Sequence, residues 1–406
     1  MTEFLKQIKI SDFGRVVTGG TPATSDSEMW GEGYPFVTPT EMDGRGMFPS
    51  AGRVVTEKAH SALRTRFCQA NSIAVCCIGA TIGKVVILPG TSLTNQQINS
   101  IVVDETQHDF RFVYYLMRTQ TARLQAVASG SATPLLNKSV FESLSVSVPL
   151  LSDQRVIARV LGALDDKIES NRRQHSLIEQ TIEASFQNIC ANFSGEYEVM
   201  GNIVEQGVSG VWGSDTQQSE SEVCITCLRG VDLHDLASGV IPTAPLRWVS
   251  SGQSASRVPQ EGEIWVEASG FRCGRSVIIG SHTNALFDQP IRNSNFVKRL
   301  VPKISVRHSY LAWLALKKVY TSDEISNFRT GTSIRNLDVE GMLKNVRVPI
   351  LDDARASQLE GLLQCLVSPS RAKETLILEN LRAALLPELL SGRLRIKDAE
   401  SMVENV

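Results

Sequence analysis

Apolar residues recur at steps of three and four along the stretch that follows Asp153. The positions are Ile157, Val160, Leu164, Ile168, Ile178, Ile182, Phe186 and Ile189. This spacing places them on one face of an α-helix, as in a coiled-coil seam. We therefore predict one long helix over residues 153–190, capped by Asp153 and ~57 Å long at ~1.5 Å per residue.

Two polar residues, Asn171 and His175, interrupt this apolar face. One interpretation is a polar patch near a bend in the helix. The other is control of register, because a buried polar residue penalises alternative pairings of two helices. The sequence leaves both interpretations open.

A second apolar stripe near the end of the chain predicts a partner for this helix. Its leucines are Leu359, Leu362, Leu366, Leu376, Leu381 and Leu385. Pro369 interrupts the stripe and should kink or restart the helix, because proline lacks the backbone N–H that a helix needs. Since a long amphipathic helix cannot bury its apolar face alone, we expect the two segments to pack against each other.

Short β-branched runs separated by turn residues precede each helical segment. The predicted strands are 72–78, 84–88, 263–267 and 276–280, and the predicted helices are 110–128 and 309–320. Glycines at 79 and 83 mark a tight connection between the first two strands. The pattern predicts an α+β fold with a mixed or antiparallel sheet in each half of the chain.

The chain contains an internal repeat. Residues 144–155 align with 344–355 at an offset of 200 without a gap. Weaker matches follow in the same order, pairing 13–17 with 200–204, 82–87 with 273–278, and 94–98 with 287–291. Their common order indicates two heads, each followed by a helical segment.

The amino-acid composition narrows the class of protein to which the chain can belong. The chain has 406 residues, of which 42% are hydrophobic and 21% charged, as expected for two or three globular domains. Its eight cysteines are irregularly spaced and its start lacks an apolar signal core, which favours a reduced, cytoplasmic protein. No stretch reaches the ~18 apolar residues of a membrane span.

Signals for catalysis are missing from the sequence. Gly79–Lys84 resembles a phosphate-binding loop, but it has the wrong glycine spacing and Val85 stands where a magnesium-binding hydroxyl is needed. An Asn/Asp-Pro-Pro-Tyr methyltransferase motif is absent. Cys224 and Cys227 form a single CxxC without the second pair that a zinc site needs, so we interpret them as buried thiols. We predict no catalytic residue, no metal site and no cofactor in this chain.

The formal net charge of −2 hides a regional pattern. Segments 1–150 and 199–350 carry +1 and +2, whereas 151–198 and 351–406 carry −3 and −2. Two stretches in the heads are densely basic: one contains Arg53, Lys58, Arg64 and Arg66, and the other contains Arg292, Lys298, Arg299, Lys303 and Arg307. Such stretches can contact phosphates or form an ordinary solvated surface.

Several motifs resemble the DNA-specificity subunits of type I restriction–modification enzymes. They are Val17-Thr-Gly-Gly-Thr-Pro22, Trp30-Gly with Pro35-Phe-Val-Thr-Pro39, Cys77-Ile-Gly-Ala-Thr-Ile-Gly-Lys84, Asn95-Gln-Gln-Ile-Asn99, Val148-Pro-Leu with Gln154, and Leu389-Leu-Ser-Gly-Arg-Leu-Arg395. The second half keeps the order of the repeated segments, but it has Gly207-Val-Ser-Gly210 in place of Gly-Gly-Thr-Pro. It also lacks Asn-Gln-Gln.

The resemblance implies a domain plan and a set of partners. Target-recognition domains would occupy 1–150 and 199–350, and conserved helical segments 151–198 and 351–406. Each head would recognise one half of a bipartite site on double-stranded DNA. The two helical segments would form an antiparallel coiled coil that sets the gap between the halves. Two methyltransferase subunits would supply S-adenosylmethionine, and restriction subunits would supply ATP and Mg²⁺ chemistry. With heads of only +1 and +2, the subunit alone should hold DNA weakly.

The same resemblance suggests residues at the DNA surface. In the first head they are Thr18, Gly19, Gly20, Thr21, Thr38, Thr40, Thr81, Lys84, Asn95, Gln96 and Gln97. In the second head, by position, they are Arg229, Arg272, Arg275, Gln289, Arg292 and Asn293, with Asn295 as a further polar candidate. Asn and Gln suit adenine, Arg suits guanine, and Lys84 would contact phosphate. The alternative is that the glycine and amide motifs are turn architecture.

Two other functions remain open at this point. A duplicated scaffold that binds protein or carbohydrate would suit the near-neutral charge but not the motifs. A single-chain restriction–modification enzyme would need methyltransferase motifs that the chain lacks.

Overall fold

A computed structural model of the protein describes residues 5–42, 46–50, 52–128, 134–270, 272–281, 283–331 and 335–394. The chain divides into two compact units. Unit 1 comprises residues 1–169 and 378–406, and unit 2 comprises residues 170–377. Each unit thus combines one head with parts of both helical segments. Arg395, the last residue of the C-terminal motif, lies outside the described residues.

The first head and the helix after it contain ten strands and five α-helices within the described residues. In chain order they are β1 (Lys6–Lys9), β2 (Gly14–Thr18), β3 (Trp30–Val37), β4 (Val54–Val55), α1 (Glu57–Ala62), β5 (Phe67–Cys68), β6 (Ile73–Cys76), β7 (Val85–Ile87), β8 (Ser92–Thr94), β9 (Ile98–Val103), α2 (Phe110–Thr119), α3 (Thr121–Ala128), α4 (Lys138–Ser143), β10 (Ser145–Val148) and α5 (Leu151–Ala191).

Two four-stranded sheets form the first head. One is antiparallel, in the order β2-β9-β6-β7, and the other has the order β4-β3-β8-β5 with β3 and β8 parallel. Successive side chains of β6 enter different cores, because neighbours along a strand point to opposite faces. Ile73 and Val75 pack in the cluster that contains α2 and the first half of α5, whereas Ala74 and Cys76 pack in another. Burial on both faces explains the unbroken apolar run of this strand.

The rest of the described chain is built from eleven strands and seven α-helices. They are β11 (Tyr197–Val199), α6 (Met200–Ile203), β12 (Val204–Gln206), β13 (Glu222–Leu228), α7 (Asp232–Ala237), β14 (Leu246–Ser250), α8 (Ser251–Ala255), β15 (Ile264–Glu267), β16 (Ser276–Ile278), β17 (Ile291–Asn293), β18 (Val297–Pro302), α9 (Val306–Thr321), β19 (Arg329–Thr330), β20 (Asn336–Leu337), α10 (Val339–Asn345), β21 (Arg347–Pro349), α11 (Asp353–Val367) and α12 (Pro369–Leu390).

The strand order in the second head corresponds to that in the first. Its antiparallel sheet has the order β12-β18-β15-β16, and its second sheet, β14-β13-β17, contains one parallel pair, β13 with β17. In β15, Ile264 and Val266 pack in one core and Trp265 in another. Each head is therefore a mixed α/β structure around two sheets.

The long helix predicted after Asp153 is confirmed, with small shifts at its ends. It begins at Leu151, so Asp153 lies in its first turn rather than at the cap. A carboxylate there still interacts favourably with the helix dipole. The helix predicted over 110–128 is two helices, α2 and α3, that separate at Gln120. Pro369 restarts the last helical segment as predicted, because α11 ends at Val367 and α12 begins at Pro369.

The apolar faces of these helices are buried within each unit. In unit 1, Ile157 and Leu164 of α5 share a core cluster with Leu385 of α12. In unit 2, Ile182 of α5 shares a cluster with Leu359 of α11. Each unit therefore buries part of α5 together with part of the C-terminal helical segment.

Candidate nucleic-acid interface

The turn Asn95–Gln97 joins β8 to β9 and brings four of the sequence motifs together. The amide of Gly20 donates to the carbonyl of Thr94 at 2.8 Å. The amide of Asn95 donates to the carbonyl of Val37 at 3.0 Å, and the amide of Cys77 donates to the carbonyl of Gln97 at 2.8 Å. Segments 17–22, 35–39, 77–84 and 95–99 therefore meet at one place, although they are far apart in the sequence.

Gly19 allows this close approach. A Cβ atom built on Gly19 would lie less than 3.0 Å from the carbonyl oxygens of both Thr94 and Asn95. Only glycine fits where two backbones pack so tightly. The Gly-Gly motif thus positions the turn.

The amide side chains of the turn are partly used within it. Asn95 donates to Gln97 Oε1 at 3.2 Å and accepts from the backbone of Gln97 at 3.1 Å. Gln96 is exposed and accepts from the hydroxyl of Thr21 at 2.7 Å. Thr18 donates to Asn99 Oδ1 at 2.6 Å. The structure therefore places Thr18, Thr21 and the amide motif in one polar cluster whose most accessible amide is Gln96.

The other predicted residues of the first head lie on loops around this cluster. Thr38 donates its hydroxyl to Glu41 at 2.6 Å, and Thr40 is exposed beside it. Thr81 donates to the carbonyl of Ile78 at 2.9 Å and closes the turn before the half-exposed Lys84. Thr38 and Thr81 thus stabilise their own loops.

Arg66 also belongs to this cluster, although the motifs did not single it out. Its guanidinium donates to the carbonyl of Gly19 at 2.7 Å, and the residue is exposed. The basic stretch around it was the only signal in the sequence. Two of its neighbours are engaged elsewhere: Arg53 stacks 4.3 Å over the ring of Trp30, and Lys58 pairs with Asp26 at 2.9 Å. That pairing with Lys58 lowers the pKa of Asp26.

The turn Ser294–Phe296 in the second head has the same backbone contacts as Asn95–Gln97. In each pair the first residue donates its amide to the carbonyl of the second. In unit 1 the pairs are Gly20–Thr94, Asn95–Val37, Cys77–Gln97 and Leu136–Cys77. The corresponding pairs in unit 2, in the same order, are Val211–Asn293, Ser294–Leu228, Ala268–Phe296 and Leu337–Ala268. A Cβ on Gly210 would collide with the carbonyl oxygens of Asn293 and Ser294, as one on Gly19 would with Thr94 and Asn95.

These contacts correct one alignment made from the sequence. The sequence alignment pairs residues 287–291 with 94–98 and so makes Gln289 the counterpart of Gln96. Ile291, however, begins β17, the strand that corresponds to β8, so the counterparts of Asn95, Gln96 and Gln97 are Ser294, Asn295 and Phe296. Gln289 lies before that strand and is half-buried.

Some of the residues predicted at the DNA surface of the second head are exposed in the structure, and others are buried. Arg272 is exposed and Arg275 is half-buried, with its Nε 4.0 Å from Glu267. Arg229 makes two hydrogen bonds of 2.9 Å to Asp232, which raise the pKa of Arg229.

Arg292 and Asn293 lie inside the fold. Arg292 is 5% exposed and donates to the carbonyl of Ser254 at 2.7 Å, and burial lowers its pKa. Asn293 is fully buried and donates to the carbonyl of Val297 at 2.8 Å. Neither side chain is available at the surface of this structure.

The dense basic stretch of the second head is largely engaged within the protein. Arg299 is buried and forms an ion pair with Glu263, whose carboxylate also accepts from Trp265 at 2.8 Å. Arg307 pairs with Asp353 at 2.9 Å and Glu360 at 3.0 Å. The sequence could not show this, because the carboxylates come from distant elements.

Cysteine chemistry and metal binding find no support in the described residues. The thiols of Cys224 and Cys227 are free, and burial raises the pKa of Cys227 to about 11. Within the described ranges, no three His, Cys, Asp or Glu side chains come together as metal ligands would. Among the helices described, none has the length and apolarity that a bilayer crossing requires.

Comparisons with known proteins agree with these motifs. Residues 4–180 match the family model described as the type I restriction modification DNA specificity domain. The specificity subunit of the type I restriction enzyme MjaIX of Methanocaldococcus jannaschii is 24% identical over 416 residues, which cover 96% of this chain and 93% of that protein. The HindI specificity subunit of Haemophilus influenzae is 30% identical over 170 residues, or 40% of this chain and 37% of that protein.

A solved structure shows the same fold. The crystal structure of a type I restriction–modification S subunit from M. genitalium matches with a TM-score of 0.59 at 15% identity, over 96% of this chain and 97% of that one. The chain is thus similar in sequence to type I restriction–modification specificity subunits, and it shares the fold of one of them.

Proposed function

We propose that this chain is the sequence-reading subunit of a type I restriction–modification complex and has no catalytic role of its own. The heads at 1–150 and 199–350 would each recognise one half of a bipartite target on double-stranded DNA. The family match and the motif residues support this function over a protein- or carbohydrate-binding scaffold.

The convergence of motifs at Asn95–Gln97 is the observation that carries the proposal. A rigid turn presents Gln96 at the surface, and the hydroxyl of Thr21 holds its carbonyl oxygen. Arg66 is bonded to Gly19 next to this turn, and Lys84 lies on the segment whose Cys77 is bonded to Gln97, so both can supply phosphate contacts. An amide held by a turn can contact base edges while neighbouring cations bind the phosphates of the DNA backbone.

The helical segments 151–198 and 351–406 would form the antiparallel coiled coil that sets the gap between the half-sites. The burial of α5 with α12 in one core and with α11 in another supports this pairing of the two segments. In our proposal, two methyltransferase subunits dock on these helices and contribute S-adenosylmethionine. Restriction subunits then join and contribute ATP-dependent, Mg²⁺-dependent cleavage.

Methylation sequencing of a host that carries the system tests this function. We expect a bipartite motif with adenine methylated in both parts. Replacing residues 200–330 with the corresponding segment of another specificity subunit should change one half of the motif only. A change in both halves would contradict the assignment of one half-site to each head.

A further inference from the structure

We infer that the turn Ser294–Phe296 is the base-contacting element of the second head, and that the ring of Phe296 packs against the 5-methyl group of a thymine. The inference rests on the proposed function and names the base class that this head recognises. It comes from the backbone contacts of the turn, since the sequence offered no motif there.

The first argument is structural equivalence. Ala268 donates to the carbonyl of Phe296 at 2.8 Å, as Cys77 donates to the carbonyl of Gln97 at 2.8 Å. Ser294 donates to the carbonyl of Leu228 at 2.9 Å, and Val297 closes the turn by donating to Ser294 at 3.0 Å. The turn is held at both ends, so its side chains are displayed in a fixed position.

The second argument is the exposure of Phe296. This side chain is 58% exposed at the tip of the turn, and Asn295 beside it is exposed as well. The residues below are buried: Asn293 and Ser294 have no accessible side-chain surface. An ordered turn thus presents a large apolar ring and an amide to solvent, where a partner can reach both.

The charges around the turn favour DNA as that partner. Ala268, whose amide donates to the carbonyl of Phe296, begins a segment that continues to the exposed Arg272 and to Arg275. Arg275 occupies the place that Lys84 has in the first head, because its carbonyl accepts from Glu267 as that of Lys84 accepts from Cys76. Arg272 is exposed on the segment that is hydrogen-bonded to the turn, and a cation there suits the phosphate backbone that flanks the bases.

The chemistry of the two side chains then indicates the base. Of the four bases, only thymine presents a methyl group in the major groove, and a phenylalanine ring can contact it. Asparagine can form two hydrogen bonds with adenine. Asn295 and Phe296 together suit an A·T pair. The first head has Gln96 and Gln97 at these positions, so the two heads should read different half-sites.

A methyl-deletion experiment tests the inference. The full chain is assembled with its methyltransferase subunits on synthetic duplexes carrying the motif found by methylation sequencing, and uracil replaces each thymine of one half-site in turn. Uracil lacks only the methyl group. At one thymine in the half-site of the second head, we expect affinity to fall about fourfold, the ratio for one buried methyl group.

The Phe296→Ala variant should bind both duplexes equally, because the ring that senses the methyl group is gone. Val258→Ala is the matched control, since Val258 is 53% exposed in the same head and should leave the uracil effect intact. The melting temperature of each variant confirms that it folds.

The outcomes separate the two proposals. A bipartite motif together with a Phe296→Ala variant that keeps the full uracil effect, or a wild type that shows none, overturns this inference and leaves the proposed function standing. Absence of a bipartite motif overturns the proposed function, and this inference with it. Loss of a protein subunit rather than of DNA affinity in Phe296→Ala complexes would show that the turn contacts protein instead.

Discussion

Asp165 of α5 forms an ion pair with Arg382 of α12 inside unit 1. The side chain of Asp165 is 6% exposed and that of Arg382 is 13% exposed, and Tyr115 of α2 donates its hydroxyl to the same carboxylate at 2.6 Å. One carboxylate therefore links the first head to both helical segments. Burial and this neighbouring charge together raise the pKa of Tyr115, which keeps its hydroxyl a donor.

Replacing Asp165 with Asn should destabilise unit 1 by about 3 kcal/mol, because Arg382 is left buried without its counter-charge. Urea denaturation followed by the fluorescence of the chain measures the loss. The control is Glu142→Gln, which removes a partially exposed partner of Lys138 and should change stability by less than about 1 kcal/mol. Equal effects of the two substitutions would contradict the importance of the buried pair.

Gly19→Ala should displace the Asn95–Gln97 turn, because the new methyl group collides with two carbonyl oxygens. Overpacking of this kind costs about 1–3 kcal/mol. We also expect weaker methylation, since a shifted turn misplaces Gln96. Gly90→Ala is the control, as a Cβ there meets nothing within 4 Å. Thermal denaturation and methylation assays of both variants check the prediction, and a Gly19→Ala chain with normal stability would refute it.

Lys84→Gln should weaken binding to all DNA sequences alike and lower the slope of log affinity against log salt by about one, as expected for a lost phosphate contact. Mobility shift of the methyltransferase complex over a salt series measures both quantities. Lys58→Gln is the matched control, because Lys58 is already neutralised by Asp26 and Glu28. A change in the recognised motif would instead identify Lys84 as a base contact.

Stability should fall as the pH rises above about 9 in a way that depends on Cys77. Burial raises the pKa of this thiol from 9.0 to about 12. The unfolded chain therefore releases the proton at lower pH than the folded one, so the free energy of unfolding decreases between about pH 9 and 12. Urea midpoints across this range should decline less steeply in Cys77→Ala. Identical slopes would show that other groups control alkaline stability.

Asn171→Leu tests whether a buried amide sets the helix register. Asn171 is 3% exposed, and its Nδ2 donates to Glu374 at 2.7 Å and to Thr375 at 3.3 Å. We expect the variant to fold but to methylate sites with more than one gap length, because an apolar seam tolerates alternative registers. Gln180→Leu on the exposed side of α5 should keep a single gap. A single gap in Asn171→Leu would favour a purely local role for the amide.

The long helix α5 and the break at Pro369 could be predicted because both depend on local sequence. A sustained apolar period and a missing N–H act within a few residues of themselves. The motif residues of the first head were recognisable for a different reason: their resemblance covered the loops that meet at Asn95–Gln97. The contacts that join those loops were not evident from the motifs.

The sequence by itself determined the long helix after Asp153, the internal repeat, and the resemblance to type I specificity subunits. Tertiary structure alone decided that Asn295, not Gln289, is the counterpart of Gln96. It also decided that Arg292 and Arg299 are buried and bonded to partners within the protein. Strand pairing and ion pairing join residues that are distant in the chain, so their outcome depends on the packed fold. A basic stretch or an amide motif can contact a partner only where the fold leaves its side chains exposed.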